Sequence, residues 1–305
     1  MYKFKREKFT KKDEELKMKL YLYAKSSHRD TLDNTRRCAA LSNMLKKCEP
    51  ILCTGDYRAA IIARESMNVK NTMGIDAMGN LPHTMERLDM LVYDNEDVTQ
   101  EMHTQMDDFC TRLYKFGKDI PLDVVDERYF NKHNELYEKA IFFSDEDYKK
   151  WFFDFCENSK KYEMALLNGN YFFLDTQKQF LKSFNEVIDE EEYFEVISQT
   201  KHLLSGSVHT CLESLASGHK PVFFKRGDKE VLHLELLDKY NIPTASGDTL
   251  DALMLSYENI IKNYPKTNTI ECFNYQELEE EILKTLKEFA HISPALDYSH
   301  YYPDR

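Results

Sequence analysis

The chain has 305 residues, a formal net charge of −12 and 42% hydrophobic residues. That length exceeds one ordinary domain and allows two lobes of about 150 residues, each with its own core. The acidic balance argues against general binding of nucleic acid or anionic membrane, so any phosphate site has to be local.

The first residues, MYKFKREKFTKKDEELK, lack the apolar core of a signal peptide, and no apolar run approaches the roughly twenty residues a bilayer span requires. The expected location is cytoplasmic. Tyr2, Phe4 and Phe9 interleave with lysines, which suits either an arm touching a membrane or partner peripherally or a frayed terminus. Seven cysteines without metal-ligand spacing read as reduced, packed thiols.

In chain order, the pattern predicts a strand over 19–24, a polar loop, and an amphipathic helix over 33–48 with Cys38, Leu41 and Leu45 at helical spacing. Asp33 or Asn34 can cap that helix, so the unit opens like the first strand–loop–helix of a Rossmann-like domain. Strands follow over 50–54 and 88–94, the second ending in acids. A helix is expected over 98–116, short strands over 122–127 and 140–145, and a helix over 146–156. This alternation supports parallel sheets, so the predicted fold class is α/β with two Rossmann-like lobes facing a cleft. The lobes are placed at 1–160 and 161–305. The second opens with an apolar strand, the turn Asn168, Gly169, Asn170, and helices over 176–187 and 191–200. The last part carries the strand-like IPTAS and two final helices, near Leu250 and Glu277.

Between these lies the most informative segment, SGSVHTCLESLASGHKPV over 205–222, a strand end, a tight glycine turn, a helix and a second strand. Such a helix begins with unpaired N–H groups, which attract phosphate. Glu213 lies one turn beyond His209 on a helix whose Leu212, Leu215 and Ala216 look inward, so its carboxylate could reach a ligand at the turn. The plain alternative is an ordinary strand–turn–helix–strand unit with Gly206 and Gly218 supplying turn and cap geometry.

The order Ser205, Gly206, Ser207, Glu213, Gly218, Pro221, Val222 resembles the nucleotide-sugar half of GT-B glycosyltransferases. The resemblance is greatest to the group holding the lipid II synthase glycosyltransferase and the pseudaminic acid pathway UDP-sugar hydrolase. It implies that Ser207, Val208 and His209 cradle a diphosphate, that Glu213 holds ribose hydroxyls, and that Asn168, Gly169 and Asn170 line the site. It also implies a G-x-G-H-x-x-R-C loop near the amino terminus. Here Thr31 and Asp33 stand at the glycines, Asn34 at the histidine, and Arg37 with Cys38 keep the end.

An amide at Asn34 is no proton acceptor near neutral pH, which argues against hydrolysis by the family route. His28, Asp94 and Glu96 are the candidate bases, against the plainer readings of an exposed loop histidine and a polar strand-to-helix loop. Lys225 and Arg226, after a strand, could neutralise a diphosphate leaving group or simply solvate the loop. Asp145, Glu146 and Asp147 form D-x-D, but acids after Ser144 also suit a helix start, so no metal and no cofactor are expected.

The resulting expectation is a glycosyltransferase that moves a sugar from a nucleotide-sugar donor to an unknown acceptor in surface or flagellar glycan synthesis. The alternatives are a nucleotide-sugar hydrolase of the pseudaminic acid pathway type, or a noncatalytic binding protein on the same fold.

Overall fold

The computed structural model describes residues 18–172 and 177–289. The arm at Tyr2, Phe4 and Phe9 lies outside the described residues. Two all-parallel sheets organise the chain. The first contains β1 (Leu20–Ala24), β2 (Ile51–Thr54), β3 (Thr72–Gly74), β4 (Met90–Asp94) and β5 (Arg112–Lys115), in the order β3-β2-β1-β4-β5. Helices α1 (Asp33–Met44), α2 (Tyr57–Glu65) and α3 (Gln100–Phe109) make its crossovers.

The second sheet contains β6 (Tyr137–Phe142), β7 (Tyr162–Leu167), β8 (Phe184–Ile188), β9 (Thr200–Ser205), β10 (Lys220–Phe224) and β11 (Thr244–Ala245), in the order β11-β10-β9-β6-β7-β8. Its connections carry α4 (Trp151–Phe155), α5 (Gln177–Ser183), α6 (Tyr193–Gln199), α7 (Val208–Ala216) and α8 (Glu235–Tyr240). Helix α9 (Leu250–Lys262) follows β11. The last helix, α10 (Gln276–Phe289), returns to the first lobe, where Ile282 enters the core and Lys47 pairs with Glu279 at 2.8 Å.

Counted within each lobe, both sheets have the Rossmann strand order, reversing direction between β1 and β4 and between β6 and β9. Central strands covered on both faces need continuous apolar runs. Leu20 to Ala24 and Ala140 to Phe143 supply them, all at most 2% exposed.

Several boundaries differ from expectation. The sheet changes between Lys115 and Tyr137, not near residue 160, because the strand placed last in the first lobe is β6, a central strand of the second sheet. Segment 122–127 pairs with no strand among the described residues; it crosses between lobes, with Val124 in one core and Val125 in the other. The helix expected over 98–116 stops at Phe109 because Cys110 turns extended and Arg112–Lys115 pairs with β4 as an edge strand. The helix expected over 176–187 gives way at Phe184 to β8, which pairs with β7.

Candidate functional site

Ligands of doubly wound sheets bind beyond the strand carboxyl ends, where the strand order reverses. The two reversal points of this chain face each other. Lys25 follows β1, Asn95 and Glu96 follow β4, Asp145 follows β6, and Gly206 follows β9. Between them lies a cleft, open at its mouth, lined by Lys25, Asn34, Arg37 and Glu96 from the first lobe and by Gly206, Val208, Arg226 and His233 from the second.

The floor of the second lobe's half is set by close backbone approach. A Cβ at Gly206 would stand 2.3 Å from the Phe143 carbonyl oxygen, so only glycine lets β9 turn into α7 beside β6. Ser207 caps α7, its Oγ accepting from the Thr210 N–H at 3.0 Å, while Ser205 Oγ accepts from the Ser207 N–H at 3.1 Å. The amides of Val208 and His209, in the first turn, have no partner within the helix. Gly218, at φ +81°, ends the helix in the left-handed conformation.

Opposite, α1 contributes a polar chain. Asn34 donates to the Asp94 carbonyl at 3.2 Å and to both carboxylate oxygens of Glu96 at 3.1 and 3.2 Å, and accepts from Arg37 at 3.0 Å. Arg37 Nε donates to Asp94 Oδ2 at 2.7 Å, with both side chains buried. Burial raises the Asp94 carboxyl above its usual range even so. Glu96 behaves oppositely. Burial pushes it up, but His233, Arg37 and Asn34 pull it down to about 2, so it stays ionised.

A second layer fastens the lobes. Arg36 makes a bidentate pair with Asp145 at 2.8 and 2.6 Å, the side chains 3% and 0% exposed. Asp145 also accepts from the Leu32 N–H and from Asn170. Burial opposes its ionisation, but Arg36 and these donors hold it below the usual carboxylate range. Ser207 Oγ donates to Asp33 Oδ1 at 2.8 Å, a further tie between lobes.

The other acids of the D-x-D stretch are also structural. Glu146 pairs with Arg226 at 2.6 Å and Lys229 at 2.7 Å; Asp147 accepts from the Phe152 and Phe153 N–H groups at the start of α4. Among the described residues no cluster of His, Cys, Asp and Glu is arranged to hold a metal.

The structure thus brings Asn34, Arg37, Glu96, Gly206 and Val208 to one cleft, with Ser205, Ser207 and Asp94 buried behind it. Other expected residues lie elsewhere. His28 is exposed and outside the cleft, set against Arg29 and the Tyr148 ring. Lys225 is exposed; the cations of its loop that line the cleft are Arg226 and Lys229.

Glu213 lines a separate, smaller cavity with Arg36, Asn170 and Tyr193, where its Oε2 accepts from the Tyr193 hydroxyl at 2.5 Å. Burial raises Glu213 to about 7 against the pull of Arg36 and Tyr193. His209 Nε2 lies 3.6 Å from Glu213 Oε1, and burial together with Arg37 and Arg36 keeps the ring neutral. Asn168 and Gly169 line neither cavity. Gly169 is required for close approach, since a Cβ would stand 2.2 Å from the Ser144 carbonyl oxygen.

His233 is the residue that sequence reasoning missed. It sits in an otherwise plain stretch, EVLHLELL, and a lone histidine between leucines carries no signal of its own. Its φ of +61° puts a non-glycine residue in the left-handed region, facing Glu96 across the cleft.

No protein-family model and no curated protein sequence matches the chain. Solved structures do. The S. aureus MnaA–UDP co-structure is similar at 10% identity and a TM-score of 0.53, over 89% of this chain and 97% of that one. The Methanocaldococcus jannaschii UDP-GlcNAc 2-epimerase with UDP-GlcNAc and UDP matches at 12% identity and 0.49, over 89% and 100%. The E. coli heptosyltransferase WaaC with ADP-2-deoxy-2-fluoro heptose matches at 12% and 0.46, over 81% and 100%. From its two facing sheets of Rossmann order and the likeness to the S. aureus structure, the chain has the two-lobed α/β fold of GT-B type.

Proposed function

We propose that the chain is a nucleotide-sugar-dependent glycosyltransferase with its donor in the cleft between the lobes. The observation that carries this reading is the start of α7 opening, through Gly206 and Val208, onto the same cleft as Asn34, Arg37 and Glu96. The diphosphate sits against the amides of Val208 and His209, where the helix start offers N–H groups and positive potential, while the Ser207 N–H is held by Ser205. Lys25, Arg226 and Lys229 also line the cleft, each paired with a carboxylate that a diphosphate would compete with: Asp97, Glu146 with Asp228, and Glu146. The sugar extends toward Asn34 and Glu96, while Glu213, expected to hold the ribose, is buried in the separate cavity against Tyr193.

The S. aureus relative in fold was solved with UDP, which makes UDP the first nucleotide to test. A ligand that binds only the folded chain raises its melting temperature. UDP is expected to raise it in the wild type and to do so at least tenfold less avidly in Lys25→Glu, which reverses a charge in the cleft wall. No rise with UDP, ADP, GDP or CMP sinks the donor site. Donor consumption that depends on an added acceptor identifies transfer; consumption in water alone identifies hydrolysis.

A further inference from the structure

We propose that His233 is the catalytic base of this site, with Glu96 and Glu235 holding its ring. The proposal rests on the donor reading above and assigns the proton step within it. A sugar transfer by displacement needs a group that takes the acceptor's hydroxyl proton. Of the acidic and histidine side chains considered so far, Asp94 is buried against Arg37 and His28 lies outside the cleft. Glu96 lines the cleft, but Asn34 occupies both its oxygens and its carboxylate, held at about 2, is a weak proton acceptor.

His233 has the missing properties. It lines the cleft, its side chain is 19% exposed, and it comes from the lobe opposite Asn34. Nε2 lies 3.4 Å from Glu96 Oε1, and Nδ1 lies 3.5 Å from Glu235 Oε1. With the Nε2–H donating to Glu96, Nδ1 keeps the lone pair that takes the proton, and once protonated its N–H has the exposed Glu235 carboxylate beside it. The left-handed backbone at His233 is a cost that the loop carries in presenting the ring to the cleft.

In the step, the acceptor hydroxyl proton passes to the imidazole and the hydroxyl oxygen forms a bond to the anomeric carbon. The anomeric carbon–oxygen bond to the diphosphate breaks, and its electron pair leaves on the diphosphate. Water in place of the acceptor gives the same balance. Glu96 and Glu235 touch the ring and not the reacting atoms, so they are positioning residues.

The test uses the full chain as wild type, His233→Ala and His233→Asn, the last because an amide tolerates the left-handed backbone. UDP affinity is measured by calorimetry. UDP release is followed from UDP-glucose, UDP-N-acetylglucosamine and UDP-N-acetylgalactosamine, with and without added imidazole. Both variants are expected to keep UDP affinity within about threefold and to lose release by about 100-fold. Imidazole is expected to restore part of it in His233→Ala and none in His233→Asn, whose side chain fills the space.

Release unchanged in both variants overturns the base. So does a loss of release in both variants that is matched by an equal loss of UDP affinity. A wild type that binds none of UDP, ADP, GDP and CMP overturns the donor site itself, and the base with it.

Discussion

The lobes meet in two ways through adjacent residues of one helix. Arg36 enters a dry contact in which the guanidinium, Asp145, Asn170 and Tyr193 are all buried, with its ring-face contact to Tyr193 at 4.0 Å. Arg37, one residue on, is equally buried but ends in a polar chain through Asn34 to Glu96 that borders the open cleft. In the first contact each charge is matched within the protein. In the second, Glu96 bonds Asn34 and lies 3.4 Å from His233 at the wall of an open cleft. The difference separates a part that fixes the lobes in register from a part left open to chemistry.

The largest expected effect breaks the dry contact. Asp145→Ala leaves Arg36 buried without its partner, and urea unfolding is expected to show a loss of about 3–5 kcal/mol. A loss below 1 kcal/mol would mean that the pair is no more than surface chemistry. Next comes Glu213, on the rim of the dry side. Its carboxyl titrates at about 7 when folded and at 4.5 ordinarily, so the folded chain holds the proton more tightly. Its contribution is therefore complete below about pH 4.5 and is lost as pH rises through 7. Between pH 5 and 8 the wild type should lose on the order of 2–3 kcal/mol relative to Glu213→Gln; parallel stability curves would remove Glu213 from the buried contact.

The smallest effect is expected at the cleft mouth, where Lys25 pairs with Asp97 at 2.7 Å with side chains 32% and 71% exposed. Asp97→Ala should cost about 0.5 kcal/mol or less, and less still in high salt. A cost like that of Asp145→Ala would erase the distinction between the two sides.

What could be read from sequence follows the range of the interactions. The glycine turn, the α7 helix and the β1–α1 unit are specified by neighbouring residues and were legible. The short edge strands β3, β5 and β8 were not, because pairing with a central strand decides them and RLYK or FNEVI has no period of its own. Asn34 was legible as a departure from a histidine, but its use as a bridge between Arg37, Asp94 and Glu96 depends on a strand sixty residues away. Arg36 and Asp145, 109 residues apart, gave no hint of each other. His233 was invisible for the same reason, since its meaning comes from Glu96 on the other lobe.

The chain passes between lobes once near Val124 and Val125 and again on the way from α9 to α10, whose Ile282 is sealed into the first core. Two covalent crossings behave like the two pins of a door. They oppose sliding and twisting between the lobes and leave rotation about the line through both crossings as the least hindered motion. Any opening of the cleft then swings on that axis, and severing the second crossing would turn a door into a tether.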